Sequence, residues 1–273
     1  MQATTIQRHY DEVIASHYDF DPQSVIGDSL GKAIGQIRRR LNDTAGAAPL
    51  TVLDLGVGTG LFLERLRAKT RREIQPYGLD ISQNMVSIAR KRIPDLLAAV
   101  DDAANLDDHF QTLAFDLICT HFITGFVPLA SLAPKILRKL ENQGYWSFVG
   151  GTKSGFPRLQ KKAASLPLRN WLFGGSRSNV DELVCNPADQ AEVVATLIEN
   201  GFTVCECETF SPDLHFDSFK DFMDFAYYGG WLTPFIEALG LHEANYLVRL
   251  LLNTFYFPAH DQHNIVIALA QKP

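Results

Sequence analysis

Residues 52–60 read "VLDLGVGTG", from Val52 to Gly60. Apolar residues around one aspartate run directly into glycines at positions 56, 58 and 60. A short apolar run before such a turn reads as a buried strand, and "LFLERLRAKT" (Leu61–Thr70) behind it has the spacing of an amphipathic helix. A glycine-rich turn between strand and helix aims backbone N–H groups and the helix N-terminus at a ligand. Glycine is needed there where φ turns positive or the backbone must come close.

The rhythm continues downstream. "QPYGLDIS" contains a strand, Gln83–Ile93 a helix closed by Pro94, and "DLLAAV" and "AFDLICTHF" two more strands. "LASLAPKILRKL" reads as a helix that tolerates Pro134 only near its first turn. "GYWSFVGG" is a strand opened by a helix-ending glycine, Gly144. Strands alternating with helices imply an α/β fold with a mostly parallel sheet, helices on both faces and right-handed crossovers. Upstream, residues 4–20 are helix-compatible, and Leu30–Leu41 forms a helix capped by Asp28 or Ser29, before a linker at Asn42–Pro49. After Gly151 the stretch Lys153–Asn186 is irregular. Pro187–Gly201 is a helix with Gly201 as its C-terminal cap, and Phe202–Phe210 a strand. Residues 211–260 are mostly helical and strongly aromatic, and His263–Lys272 is a last strand.

The chain has 273 residues, 46% hydrophobic and 21% charged, with a formal net charge of −6. That length supports a sizeable core without disulfide or metal staples. The acidic balance disfavours nucleic acid and membrane surfaces as partners. No apolar run reaches the roughly 20 residues of a membrane span. The polar N-terminus has no signal-peptide core, and the four cysteines lack zinc spacing, so a soluble, cytoplasmic protein with reduced thiols is expected.

Three ligands compete for the loop. A nucleoside triphosphate loop needs lysine and Ser/Thr after its last glycine, and Leu61 and Phe62 stand there. The dinucleotide fingerprint wants glycine or alanine at 61, where Leu61 stands. Asp80 follows at the end of the next strand, where an acid binds ribose hydroxyls. Asp54 would repel a pyrophosphate and can hold a cationic group.

"LDLGVGTG" followed by "GLDIS" and Met85 resembles the class I S-adenosylmethionine-dependent methyltransferases. Asp54, Gly56, Gly58 and Gly60 match their first motif, and Asp80 their second. The resemblance implies S-adenosylmethionine as cofactor, with Asp80 on the ribose and Ile81 and Met85 beside the adenine. "VDDAANL" resembles the third motif, which implies Asp102 and Ala103 at the adenine, with Asp101 as the alternative. "FDLICTHF" resembles the fourth, which places Thr120 and His121 beside the methionine part. "YDEVIASHYD" resembles the stretch that opens such enzymes and folds over the cofactor, which implies contacts from Tyr10 and Tyr18. The family's sheet is Rossmann-like and seven-stranded, completed here by a reversed hairpin of Phe202–Phe210 and His263–Lys272. The expected organisation is an N-terminal helical cap (1–48) and a methyltransferase domain (49–273), with lid insertions at about 151–186 and 211–260.

Methyl transfer from a sulfonium is an in-line displacement in which positioning supplies much of the rate. His121, at the carboxyl edge of the sheet, is the candidate general base. His17, His260 and His263 approach from flanking segments. No histidine spacing assembles a metal site. Phe122, Phe126, Trp171, Tyr227, Tyr228 and Trp231 are the candidate walls of an apolar or aromatic acceptor pocket. The expected function is methylation of oxygen, nitrogen or carbon on a small, apolar or aromatic metabolite. Two alternatives use the same cofactor grip: intramolecular cyclisation of the aminobutyryl chain with release of methylthioadenosine, and a non-catalytic cofactor-binding subunit.

Overall fold

The computed structural model describes residues 7–41, 48–164, 184–238 and 240–273. Its strands are β1 (Leu50–Leu55), β2 (Ile74–Asp80), β3 (Leu97–Val100), β4 (Phe115–His121), β5 (Leu140–Gly151), β6 (Thr203–Phe210), β7 (Asp213–Phe216), β8 (Ala259–Gln262) and β9 (Ile265–Gln271). Seven of them form one sheet in the order β3-β2-β1-β4-β5-β9-β6. The pairs among β1 to β5 are parallel, and β9 runs antiparallel between β5 and β6. This is the expected Rossmann-like sheet, reversed hairpin included.

Each face of the sheet buries its own core. On one face Val52, Leu117, Cys119 and Leu269 pack with Ile26, Leu30, Ile34 and Ile37 of helix Val25–Arg40 and with Phe62, Leu63 and Leu66 of helix Leu61–Lys69. On the other, Leu53, Leu55, Ile118, Trp146 and Phe148 pack with Leu132, Ala133 and Ile136 of helix Leu129–Lys139 and with Val193 and Leu197 of helix Gln190–Glu199. Apolar runs buried on both sides are what a parallel sheet under two helical layers requires. The aromatic stretch forms a third cluster: Phe216, Phe219, Phe222 and Phe225 pack on Ile265 and Ile267.

Several elements differ from the sequence expectation. Helix Val25–Arg40 begins five residues before Leu30, with Ser24 at its N-cap position; Ser29 is buried within it and caps nothing. Its apolar stripe already starts at Val25 and Ile26, which are buried. Pro134 lies past the first turn of helix Leu129–Lys139. Ala130, whose carbonyl a normal residue at 134 would bond, is exposed and can be hydrated. Gly144 lies inside β5, which starts at Leu140, and ends no helix. A β-carbon on it would come within 2.9 Å of the Glu141 carbonyl oxygen and 3.0 Å of that of Phe115. Strands β7 and β8, which pair antiparallel, interrupt the expected helical stretch. No helix among the described residues is long and apolar enough to cross a membrane.

Trp146 is completely buried and donates from Nε1 to Thr120 Oγ1 at 2.8 Å. Trp146→Ala is expected to cost about 3–5 kcal/mol of stability, from lost burial and cavity formation. Trp146→Phe keeps most of the ring but strands the threonine hydroxyl, for about 1–3 kcal/mol. Urea unfolding measures both, and a Trp146→Phe cost near zero would contradict a role for the hydrogen bond.

Candidate active site

The glycine loop joins β1 to helix Leu61–Lys69, and Gly56, Gly58 and Gly60 take φ of +75°, +52° and +80°. Each has its own reason. A β-carbon on Gly56 would lie 2.2 Å from Ile123 Cγ2, in the loop after β4. One on Gly58 would meet the Tyr18 ring at 3.5 Å. One on Gly60 would press on Ala89 and Ile93 at 3.3 Å. Gly60 therefore lets two helices pack and does not line the cavity, in contrast to the expectation.

Two carboxylates lie under this loop. Asp80, at the end of β2, accepts hydrogen bonds from the backbone N–H of Gly58 at 2.8 Å and of Ser82 at 2.9 Å. Burial pushes its carboxyl up to about 6, against the pull of those two donors. Asp54 is buried with Oδ1 unpartnered, and burial, reinforced by Asp80, lifts its carboxyl well above the usual range. Farther along the sheet edge, Asp102 accepts from Ala104 N at 2.8 Å and starts the turn Ala103–Asp108. Asp101 instead bonds His109 at 2.8 Å, which holds its carboxyl low. Asp102 and Ala103 line the cavity over the glycine loop, and Asp101 is not among its lining residues.

A cavity of about 260 Å³ opens over the loop. Gly56, Gly58, Asp80, Ile81, Met85, Asp102, Ala103 and His121 line it, under Tyr10, Tyr18, Phe122 and Phe126. A small recess beside it contains Asp54 with Tyr18, His121 and Phe122. A second cavity, about 160 Å³, shares Tyr10, Tyr18, Phe122 and Phe126 with the first. It continues past Ile26, Phe156, Leu159, Trp231, Leu232 and Phe235. Phe122 has φ of +61°, uncommon for a bulky residue, and its N–H is fixed by Val149 O at 2.7 Å. Its ring meets Trp231 edge-on at 4.9 Å.

Other expected residues fall elsewhere. Thr120 is fully buried, turned toward Trp146 and away from the cavities. Strand alternation explains this, since Thr120 and His121 point to opposite faces of β4. Tyr227 packs on His9 and His242, and Tyr228 is exposed beside His17; neither lines a cavity. They belong to a π-helical turn, Asp224–Tyr228, whose buried side is Phe225 and Ala226. Trp171 lies outside the described residues. His121 does line the first cavity, bonded through Nε2 to Ser147 Oγ at 3.0 Å and edge-on to Phe62 at 4.2 Å. Burial pushes its imidazole down to about 3, so the expected base is neutral and a poor proton acceptor.

An N-terminal strap closes the roof. Asp11 accepts from Ser82 Oγ at 2.5 Å and Asn84 N at 3.1 Å, at the start of helix Gln83–Arg92. Asp19 accepts from Thr59 Oγ1 at 2.6 Å and from Arg92 at that helix's other end. Tyr10 and Tyr18 each immediately precede one of the two latching aspartates. The latches escaped the sequence reading because Asp11 and Asp19 act across 40 to 73 residues of chain.

The model of a methyltransferase domain matches residues 52–144. Demethylmenaquinone methyltransferase of Thermotoga maritima is 30% identical over 166 residues, covering 57% of this chain and 71% of that protein. The chain belongs to the class I S-adenosylmethionine-dependent methyltransferases. Trans-aconitate 2-methyltransferase of Methylobacterium nodulans is 35% identical over 99 residues, 36% of this chain and 37% of that one. Magnesium protoporphyrin IX methyltransferase of Synechocystis shares the fold over the full length of both chains, with a TM-score of 0.61 at 12% identity. The cofactor of this methyltransferase is S-adenosylmethionine, and the cavity's chemistry fits it. An unpartnered buried carboxylate suits a cationic group, a carboxylate at the sheet edge suits hydroxyl donors, and Ile81, Met85 and Ala103 supply apolar walls.

Because the latches alone tie the strap to helix Gln83–Arg92 by charged hydrogen bonds, Asp11→Ala is expected to loosen residues 7–18 selectively. Amide exchange there should quicken by about tenfold or more, as loss of a charge-assisted hydrogen bond implies. Strands β1 and β4 should keep their protection. Unchanged exchange in the strap would show that the latch does not hold it.

Proposed function

We propose that this methyltransferase methylates a small, largely apolar ring compound, bound in the second cavity. The observation that carries the proposal is the junction: Tyr10, Tyr18, Phe122 and Phe126 border both cavities. A donor in one and an acceptor in the other would meet across those four side chains. The second cavity is walled by Phe156, Leu159, Trp231, Leu232 and Phe235, and Lys153 is its one lysine or arginine among the described residues. That composition favours an apolar acceptor, such as the Thermotoga maritima relative's name specifies, over a polyacid such as trans-aconitate. A small concave cavity and a net charge of −6 also favour a small molecule over nucleic acid.

In this reading Asp80 accepts the ribose hydroxyls, Ile81, Met85 and Ala103 hold the adenine faces, and Asp102 takes its amino group. Asp54, with Gly56 and Gly58, receives the amino acid end. S-adenosylmethionine, when bound, supplies an activated methyl group on a sulfonium. The protein's contribution is alignment and exclusion of water. Tyr10 and Tyr18 are half-buried, and desolvation of their phenols pushes both up and keeps them neutral. Neutral phenol and Phe122 faces can stabilise a nearby cation without quenching it. His121 acts here as a neutral wall beside the reacting carbon.

Incubation with methyl-labelled S-adenosylmethionine and a panel of hydroxylated aromatic and quinol acceptors tests the function. The expected products are adenosylhomocysteine and a labelled acceptor. Methylthioadenosine in place of adenosylhomocysteine would overturn methyl transfer in favour of cyclisation. Asp80→Ala should weaken cofactor binding by about 1.5–3 kcal/mol, through lost charged hydrogen bonds.

Cofactor affinity should also depend on pH. Hydroxyl donors favour ionised Asp80, so binding lowers its pKa from about 6 and releases a proton below that pH. Affinity should therefore rise as pH climbs through 6 and level off above it. Titration calorimetry in buffers of different ionisation enthalpy measures the proton release. A flat profile from pH 5 to 7.5 (a range of roughly two units about the shifted value) would refute the assignment of Asp80.

A further inference from the structure

The second cavity has one polar corner, formed where the ends of β5 and β9 meet the segment around Asn186. His263 lies there, 4% exposed. Its ring is stacked on Phe156 at 4.2 Å and 15° and meets Trp231 edge-on at 5.1 Å. Neither ring nitrogen hydrogen-bonds to a described residue, and Nδ1 is completely enclosed. A buried imidazole without partners is uncommon, since each stranded polar atom costs stability. Burial keeps the ring neutral, so it presents one donor and one acceptor.

Gly151 explains what the corner is shaped for. A β-carbon at Gly151 would lie 3.2 Å from His263 Nε2, 3.0 Å from its Cε1 and 3.7 Å from Asn186 Nδ2. Gly151 thus lets the imidazole pack against the backbone where a side chain would crowd it, and His263 and Asn186 both line the cavity beside it. Asn186, which also lines the cavity, makes no side-chain hydrogen bond to a described residue. A group between these two neighbours accepts from the amide and either donates to the imidazole or accepts from it, according to the tautomer. A hydroxyl serves both tautomers of His263; a carbonyl or ether oxygen serves only the one with its hydrogen on Nε2.

We propose that His263 and Asn186, beside Gly151 in the cavity wall, form a recognition corner for a hydroxyl group on the methyl acceptor. The acceptor is then a hydroxylated apolar ring, a phenol or quinol in class, with its hydroxyl held in this corner and its ring between Phe156, Trp231 and Phe122. His263 is a positioning and specificity residue. It decides which acceptors enter and how they are turned, and the methyl group is transferred at the opposite, Tyr10–Phe126 side of the cavity. This rests on reading the second cavity as the acceptor site.

The test uses the full chain with adenosylhomocysteine present, and 2-naphthol and 2-methylnaphthalene as probes of similar shape. The native protein is expected to bind 2-naphthol tighter by on the order of tenfold, the worth of one to two buried neutral hydrogen bonds. His263→Phe and Gly151→Ala should each erase that preference while 2-methylnaphthalene still binds His263→Phe. In the native protein, the His263 ring nitrogens should shift in ¹⁵N spectra on adding 2-naphthol and stay in place with 2-methylnaphthalene. Equal affinity for the two probes, a preference retained in His263→Phe, or unmoved ring nitrogens would overturn the recognition corner and leave the acceptor cavity standing. Failure of both probes to bind would overturn the acceptor cavity, and the corner with it.

Discussion

Two carboxylates buried under a glycine turn are the constraint around which the rest of the structure is arranged. Asp54 and Asp80 are both at least nine-tenths buried, and Asp80 adds to the cost of ionising Asp54. Taking a carboxylate out of water without a full set of partners is expensive. Gly58 and Ser82 donate to Asp80, which lowers that cost in part. Asp54 keeps an oxygen with no partner at all. A fold that selection has kept with such a defect has a use for it, and a cationic ligand with hydroxyl donors would complete both sites at once. The stabilisation missing from the free protein becomes binding energy for the cofactor.

That arrangement dictates the shape of the neighbourhood. Gly56 must lack a side chain because Ile123, from the β4 loop, closes over it. Ile123 gets there because Phe122 adopts a positive φ and turns the chain sharply at the end of β4. The same turn aims the Phe122 ring at Trp231, at the edge of the second cavity. One strained residue thus closes the first cavity and shapes the second, and such places are where strain is expected to be stored. The strap adds the remaining wall, with both its aspartates fastened to one helix, so Tyr10 and Tyr18 are held as a pair.

The sheet was legible in the sequence because its strands are short apolar runs separated by amphipathic helices, and local pattern decides both. The positions of Asp80, Asp102 and Met85 were legible because motif spacing fixes them relative to strand ends. Thr120 and Gly60 were misplaced for a different reason. Both stand beside true cavity residues in sequence, but alternation along β4 turns Thr120 into the core, and helix packing against Ala89 claims Gly60. Tyr227 and Tyr228 illustrate a limit of composition. An aromatic-rich stretch gives no indication of which rings face a cavity, and here the π-helical turn sends those two outward while Phe225 and Trp231 stack at 5.5 Å within.

Histidine placement shows the same limit from the other side. His121 was singled out because a strand end at the carboxyl edge of a parallel sheet is where ligands bind, and the structure does put it in the cavity wall. Position alone does not make a base, however. Packed against Phe62 and bonded to Ser147, the ring is too desolvated to hold a proton near neutrality. His263 carried no motif and lies 142 positions further along, yet it shares that desolvated, neutral state within the second cavity. Two neutral imidazoles, one in the wall of each cavity, suit a reaction whose donor already carries the activation. Such a site needs groups that orient and select more than it needs groups that exchange protons, and orientation is what a buried, stacked ring with one unfilled hydrogen-bonding edge can provide.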